Sequence, residues 1–108
     1  MKLLIAIVQN QDAGKVMHAL NNEGFMVTKL ASTGGFLRAG NTTLLMGVDD
    51  KKVEEVLTII ESQSKSRKKV ITSDTPMVSG SIMTPTTTEI KVGGATIFLM
   101  DVKDYRKF

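Results

Sequence analysis

The stretch FMVTKLASTGGFLRAGNTTLLMGV (residues 25–48) decides the fold, because it sets two strand patterns one after the other. FMVTKLAST (25–33) alternates apolar and polar residues, and TTLLMGV (42–48) is a second run of strand-forming residues. The connection between them is rich in glycine and longer than the usual hairpin turn. The stretch therefore predicts a β-hairpin with an enlarged tip, which we expect to be mobile over about 34–41.

Upstream of this hairpin, the sequence pattern predicts a strand and then a helix. KLLIAIV (2–8) is a continuous apolar run, typical of a strand that is covered on both faces. Asp12 or Asn10 suits the start of a helix over 13–23, and Gly24 suits its left-handed C-cap. Apolar residues recur at helical spacing within this segment: Val16, Met17 and Leu20.

Downstream, DDKKVEEVLTIIESQSK (49–65) predicts the clearest helix, with Asp49 and Asp50 capping its positive end. Residues 66–88 contain both prolines, many Ser and Thr and little periodicity, so we expect a long mobile loop over about 67–88. EIKVGGATIFLMDV (89–102) predicts a long strand or a bulged pair that bends at its two glycines. The apolar stripe of the helix consists of Val53, Val56, Leu57 and Ile60.

The order β-α-β-β-α-loop-β over residues 1–108 is that of one ferredoxin-like domain of the α+β class. It predicts an antiparallel sheet with two helices on one face. Strands such as MKLLIAIV and ATIFLMDV are apolar on both faces, so the sheet face opposite the helices needs a cover. Identical subunits are the simplest cover, and we therefore expect an oligomer.

The composition favours a binding protein over an enzyme. The 108 residues include no cysteine, which excludes disulfide and thiol chemistry and suits the cytoplasm. The only histidine, His18, falls within the first predicted helix, so neither a catalytic triad nor a metal-ligand cluster is recognisable. No apolar run is long enough to span a membrane, and the first eight residues turn polar too early for a signal peptide. We expect no catalysis, no metal, no cofactor and no membrane.

The net charge of +3 makes an anionic partner more favourable without pointing to nucleic acid. Much of the excess lies in KSRKK (65–69), which we interpret as a solvated loop end. The chain has four Phe, one Tyr and no Trp, few of the aromatic residues on which single-stranded nucleic acids stack. We therefore expect no nucleic-acid polymer as partner.

The hairpin tip TGGFLRAGNTT (33–43) has two interpretations from its residues alone. Its glycines would let backbone N–H groups approach an anion, and the Asn41 amide matches the donor and acceptor of an adenine edge. Alternatively, Phe36 packs on its own sheet and Asn41 caps a turn. The tip has neither a Walker lysine nor a dinucleotide fingerprint, and composition by itself favours the turn.

The segments TKLASTGGFLRAGNTTLLMGV (28–48) and VGGATIFLMDV (92–102) resemble the PII-like cyclic-di-AMP receptors, a family of small bacterial signalling proteins. The resemblance covers nearly the whole chain and is weakest over the 67–88 loop. It implies a homotrimer of ferredoxin-like subunits with three cyclic di-AMP molecules, one at each cleft between neighbours. It also implies a protein without catalysis that passes the signal to an unidentified protein target.

The resemblance further implies a set of ligand-binding residues: Thr28, Gly35, Phe36, Leu37, Asn41 and Gly47. Backbone N–H groups at 35–37 would contact phosphate oxygens, Asn41 would bind an adenine edge, and Gly47 would let a base approach the strand. Three more positions, for which ordinary strand or turn geometry is an equally good explanation, are Val27, Gly34 and Gly94. Met26 stands where relatives can carry a basic residue, so that contact is not carried over, and Arg38 has no assigned role.

Three alternatives stay open at this point. The first is a PII-like adaptor that docks a protein target through loop 67–88. The second is a protein of this type that binds another adenine nucleotide. The third is a basic nucleic-acid binder that uses KSRKK (65–69).

Overall fold

Strand β1 (Lys2–Gln9) lies at the centre of the fold, with an antiparallel partner on each side. The computed structural model describes residues 1–30, 40–73 and 86–108. Over these residues the remaining elements follow in chain order: α1 (Asn10–Asn22), β2 (Thr28–Leu30), β3 (Asn41–Val48), a 3-10 turn (Asp50–Lys52), α2 (Val53–Ser64), β4 (Arg67–Ser73), β5 (Thr86–Val92) and β6 (Ala95–Asp101).

The main sheet of the described residues has the strand order β2-β3-β1-β6. All three pairings are antiparallel, with Lys2 opposite Val48 on one side and Asp101 on the other. The central position of the first strand, between the third strand and the last, is the arrangement of a ferredoxin-like fold. The α+β fold predicted from the sequence is therefore confirmed.

The two helices pack on one face of this sheet and build the core with it. Along β1, Leu4, Ala6 and Val8 are buried, and they form one cluster with apolar residues of α1 and α2. The helical residues that the sequence pattern selected lie in that cluster or pack against it, and Val16 and Ile60 are fully buried. The predicted helix stripes are thus confirmed, and His18 lies exposed within α1.

The opposite face of the sheet is apolar and is not covered by α1 or α2. Because side chains alternate along a strand, Leu3, Ile5 and Ile7 point away from the core cluster and are half-buried. Met100, which pairs with Leu3 in the register, is 44% exposed. We call this surface the open face.

The segment 66–88, predicted as a loop, contains strands at both of its ends. Strand β4 pairs antiparallel with β5, from Arg67 opposite Val92 to Ser73 opposite Thr86, and the two form a sheet of their own. Of the two predictions for 89–102, a long strand or a bulged pair, the single long strand is wrong, since the segment consists of β5 and β6, which belong to different sheets. The bend at Gly93-Gly94 is confirmed, with φ of 84° and 99°. Residues 74–85 lie outside the described part.

Smaller predictions at the ends of elements have mixed outcomes. Gly24 follows α1 with φ 86°, and its N–H donates to the Asn21 carbonyl, as expected for a left-handed C-cap. No side chain caps the start of α1, whose N-cap is Gln9, so the predicted capping by Asp12 or Asn10 was wrong. Strand β2 begins at Thr28, three residues later than the predicted strand over 25–33, and residues 31–33 lie outside the described part.

The acidic pair before the second helix also differs from the prediction. Asp49 precedes the 3-10 turn but makes no side-chain cap bond. Asp50 instead forms an ion pair with the N-terminal amine, whose nitrogen lies 3.1 Å from Asp50 Oδ1. Within the described residues, no helix has the length and apolarity that a bilayer crossing requires.

Candidate functional site

The end of β1 and the start of β3 bring two side-chain amides together. Gln9 and Asn41 are opposite each other in the antiparallel register, so both side chains lie on the open face of the sheet. They line a cavity of about 350 Å³. Its other polar side chains are Thr96 of β6 and two residues, Ser66 and Lys91, from the end of the β4–β5 hairpin where β4 begins and β5 ends, which we call the hairpin root. The cavity therefore lies where the main sheet meets the hairpin.

Asn41 is held in place through its neighbours, while its own side chain makes no hydrogen bond among the described residues. The N–H of Asn10 donates to the carbonyl of Gly40 (2.8 Å), and Thr42 Oγ1 donates to Asn10 Oδ1 (2.5 Å). These bonds fix the backbone on both sides of Asn41. Its half-buried amide thus lies at the cavity wall, makes no turn-capping bond to a described residue and is accessible to a ligand.

The backbone of Gly93 and Gly94 forms another wall of the cavity. The Gly93 N–H donates to Gln9 Oε1 (2.8 Å), and the Gly94 N–H donates to the Ser64 carbonyl. A Cβ on Gly93 would lie 2.7 Å from both Arg67 Nη1 and the Lys65 carbonyl oxygen, so only glycine fits there. The link from β5 to β6 is therefore fastened to β1 and to the end of α2.

An ion pair between Asp12 and Arg67 holds the root of the hairpin against α1. Arg67 Nη2 donates to Asp12 Oδ1 (2.9 Å) and Nη1 approaches Oδ2 (3.4 Å), while the Asp12 side chain has no exposed surface. The hydrogen bonds and charge of Arg67, with a smaller contribution from Lys15, hold the pKa of Asp12 below its ordinary value. Burial alone would have raised that pKa. Arg67 is thus a structural cation, not the solvated loop residue that the sequence predicted.

The chemistry of the cavity suits a polar, anionic ligand. Two amides offer donors and acceptors, two hydroxyls can do either, and the exposed Lys91 supplies a positive charge. In the described part of the chain, no group of three or more His, Cys, Asp or Glu side chains is arranged to hold a metal ion. The donors, acceptors and positive charge of the cavity can bind such a ligand.

A comparison with known families decides the identification. The family model of the cyclic-di-AMP receptors matches residues 1–108. The chain belongs to the cyclic-di-AMP receptor family. It is also similar to a crystal structure of a functionally unknown protein from Pediococcus pentosaceus ATCC 25745. The two chains share 37% identity with a TM-score of 0.78, over 99% of this chain and 96% of the other.

Three of the ligand residues that the family resemblance implied lie on the open face, but they are spread along it. Thr28 pairs with Leu45 in the middle of β3, whereas Asn41 and Gly47 lie near its two ends. Gly47 lies six positions beyond Asn41 along the extended strand, or about 20 Å away. Gly47 lines a different cavity, of about 480 Å³, together with Met26 and Tyr105.

The remaining predicted positions divide into two groups. Gly94 lines the Asn41 cavity, although its N–H is already engaged with Ser64. Val27 packs against the core cluster, which favours the ordinary strand explanation for it. The other predicted positions, together with Arg38, lie outside the described residues: Gly34, Gly35, Phe36 and Leu37.

Sequence reasoning missed the part of the cavity that comes from Gln9 and from the hairpin root. Gln9 had a recognisable signal, since a run of polar residues begins with it directly at the end of an apolar strand. Ser66 and Lys91 had none, because their approach depends on a hairpin that the sequence pattern did not reveal.

Proposed function

We propose that this member of the cyclic-di-AMP receptor family is a cytoplasmic, non-catalytic receptor that binds cyclic di-AMP through the Asn41 cavity. The observation that carries the proposal is the half-buried Asn41 amide, which lines the cavity and is not used in a hydrogen bond with another described side chain. Its donor and acceptor match the edge of an adenine base. The Lys91 ammonium, which lines the same cavity, complements the phosphates.

The proposed receptor is a homotrimer with one ligand at each cleft between subunits. Two observations support this arrangement. The open face is apolar along β1, β2 and β6, with Met100 of β6 and Leu30 of β2 exposed by 44% and 39%, and burial of such a face stabilises an oligomer. Asn41 and Gly47 are too far apart to surround one base within a single subunit. A neighbouring subunit would supply the complementary part of the site.

The proposed relay runs from this cavity to the β4–β5 hairpin, which would contact a protein target. Over the described residues, the hairpin pairs with no strand of the main sheet, and Lys91 of β5 lines the cavity. Occupation of the cavity therefore acts at the root of the hairpin, where Arg67 and Gly93 fasten it to the domain. A change there would alter the position of the hairpin or the order of the loops.

The test is calorimetric titration with cyclic di-AMP, with cyclic di-GMP and ATP as comparison ligands. We expect one cyclic di-AMP per subunit. Asn41→Ala should weaken binding by about 1–3 kcal/mol, because the base loses a pair of desolvated hydrogen bonds. Asn22→Ala, at an exposed asparagine in the last turn of α1, is the matched control and should bind like wild type. Unchanged affinity of Asn41→Ala would contradict the assignment of this residue.

A second candidate function is an adaptor that docks a protein through the hairpin without a nucleotide signal. The independence of the β4–β5 sheet from the main sheet favours it. Replacing residues 74–85 by a short Gly/Ser turn separates the two functions. A receptor with a relay keeps its cyclic di-AMP affinity and loses its protein partner, whereas a pure adaptor binds its partner equally with and without the nucleotide.

A further inference from the structure

The orientation of the Gln9 amide is fixed by two donors. Gln9 Oε1 accepts hydrogen bonds from the Gly93 N–H (2.8 Å) and from Gln11 Nε2 (3.0 Å). A backbone N–H needs an acceptor, and in a glutamine amide only the oxygen accepts. The oxygen must therefore face Gly93, and the NH₂ group must face the other way.

That NH₂ group is an available donor at the cavity wall. Gln9 is half-buried and lines the cavity beside Asn41, yet its Nε2 donates to no group among the described residues. Within the same part of the chain, no fully buried side-chain nitrogen or oxygen lacks a partner, so this nitrogen must reach open space. A half-buried donor gains more from a ligand acceptor than a solvated one does.

We propose that Gln9 is a second ligand-reading residue of the receptor, which donates from Nε2 to an acceptor on cyclic di-AMP, either a phosphate oxygen or an adenine ring nitrogen. The inference rests on the proposed function and adds a residue to its site. Gln9 and Asn41 are opposite each other in the register, so the two amides approach one ligand from adjacent strands. The NH₂ groups of Gln9 and Asn41 make no hydrogen bond with a described residue, and both side chains line the same cavity.

The same amide links the ligand to the hairpin root. Donation from Nε2 to a ligand polarises the amide and makes its oxygen a stronger acceptor. The bond from Gly93 N–H then strengthens, at the point where β5 passes into β6.

The test compares Gln9→Glu with Gln63→Glu in titrations with cyclic di-AMP. Gln9→Glu keeps an oxygen for Gly93 but replaces the donor by a negative oxygen, which repels an anionic ligand. We expect affinity to fall about tenfold or more. Gln63→Glu makes the same chemical change at a half-buried glutamine of α2 outside the cavity, and should stay within about twofold of wild type.

A second measurement on the wild-type protein avoids any effect of substitution on folding. Adding cyclic di-AMP should shift the NMR signals of the Gln9 side-chain NH₂ and the Gly93 N–H, and leave the Gln63 NH₂ unchanged. If wild type binds while Gln9→Glu binds equally well, or while the Gln9 signals do not move, the inference is overturned and the proposed function stands. If wild type does not bind cyclic di-AMP, both are overturned.

Discussion

Arg67 donates hydrogen bonds from both of its terminal nitrogens to the buried carboxylate of Asp12, which lies 55 residues earlier in the sequence. The pair joins the first residue of β4 to the first turn of α1, and the same guanidinium lies against Gly93 and donates to the Lys65 carbonyl (3.3 Å). The start of β4 and the end of β5 therefore both contact the Arg67 side chain or its neighbouring backbone. The position of the hairpin relative to the Asn41 cavity depends on this contact.

Removing the charge of Asp12 should destabilise the protein. In Asp12→Asn, a fully buried carboxylate that accepts hydrogen bonds from Arg67 becomes a neutral amide that matches them poorly. We expect the free energy of unfolding to fall by about 1–3 kcal/mol, measured by urea unfolding at fixed protein concentration. Asp104→Asn breaks an exposed pair with Arg106 and should change it by no more than about 0.5 kcal/mol. Equal effects of the two variants would contradict this account.

The same carboxylate should make stability sensitive to acid. The pKa of Asp12 is lowered in the folded protein, mainly by its hydrogen bonds with Arg67, so the folded state binds a proton less readily than the unfolded state. The contribution is complete above the unfolded pKa of about 3.9 and is lost as pH falls through the lower, folded pKa. Urea midpoints measured from pH 6 downward, over roughly three units, should fall less steeply for Asp12→Asn than for wild type. Parallel curves would show that Asp12 does not contribute.

Gly93 should tolerate substitution worse than another glycine of the same backbone conformation. Gly93 and Gly24 have φ of 84° and 86°, so alanine is strained by its backbone at either position. A Cβ at Gly24 meets nothing within 4 Å, whereas one at Gly93 meets Arg67 and the Lys65 carbonyl at 2.7 Å. We expect Gly93→Ala to lower the thermal midpoint clearly more than Gly24→Ala. Equal shifts of the thermal midpoint would mean that Arg67 and the Lys65 carbonyl move away from the added Cβ without destabilising the protein.

Much of the fold could be predicted because its core is built from periodic apolar segments. The alternation of Leu4, Ala6 and Val8 and the helical spacing of Val16 and Leu20 are written directly in the sequence. Strands β4 and β5 had no such pattern in the sequence, and they pair with each other in a sheet of their own. The cavity could be predicted only at Asn41 and Gly94. Its other members are brought in by long-range contacts at the hairpin root.

The open face should determine the oligomeric state. Met100 and Leu99 are adjacent on β6 and similarly exposed, at 44% and 42%, but they lie on opposite faces of the sheet. Met100→Lys places a charge on the open face and should convert the proposed trimer into monomers in sedimentation velocity. Leu99→Lys places it on the helix side and should leave the trimer intact. A Met100→Lys protein that still sediments as a trimer would show that another surface joins the subunits.

Binding of cyclic di-AMP by the receptor is measured by titration calorimetry of the wild-type protein. We expect saturable heat with one cyclic di-AMP per subunit, accompanied by a higher thermal midpoint, because a ligand that binds the folded state stabilises it. The absence of both heat and thermal stabilisation at saturating cyclic di-AMP would contradict the proposed function.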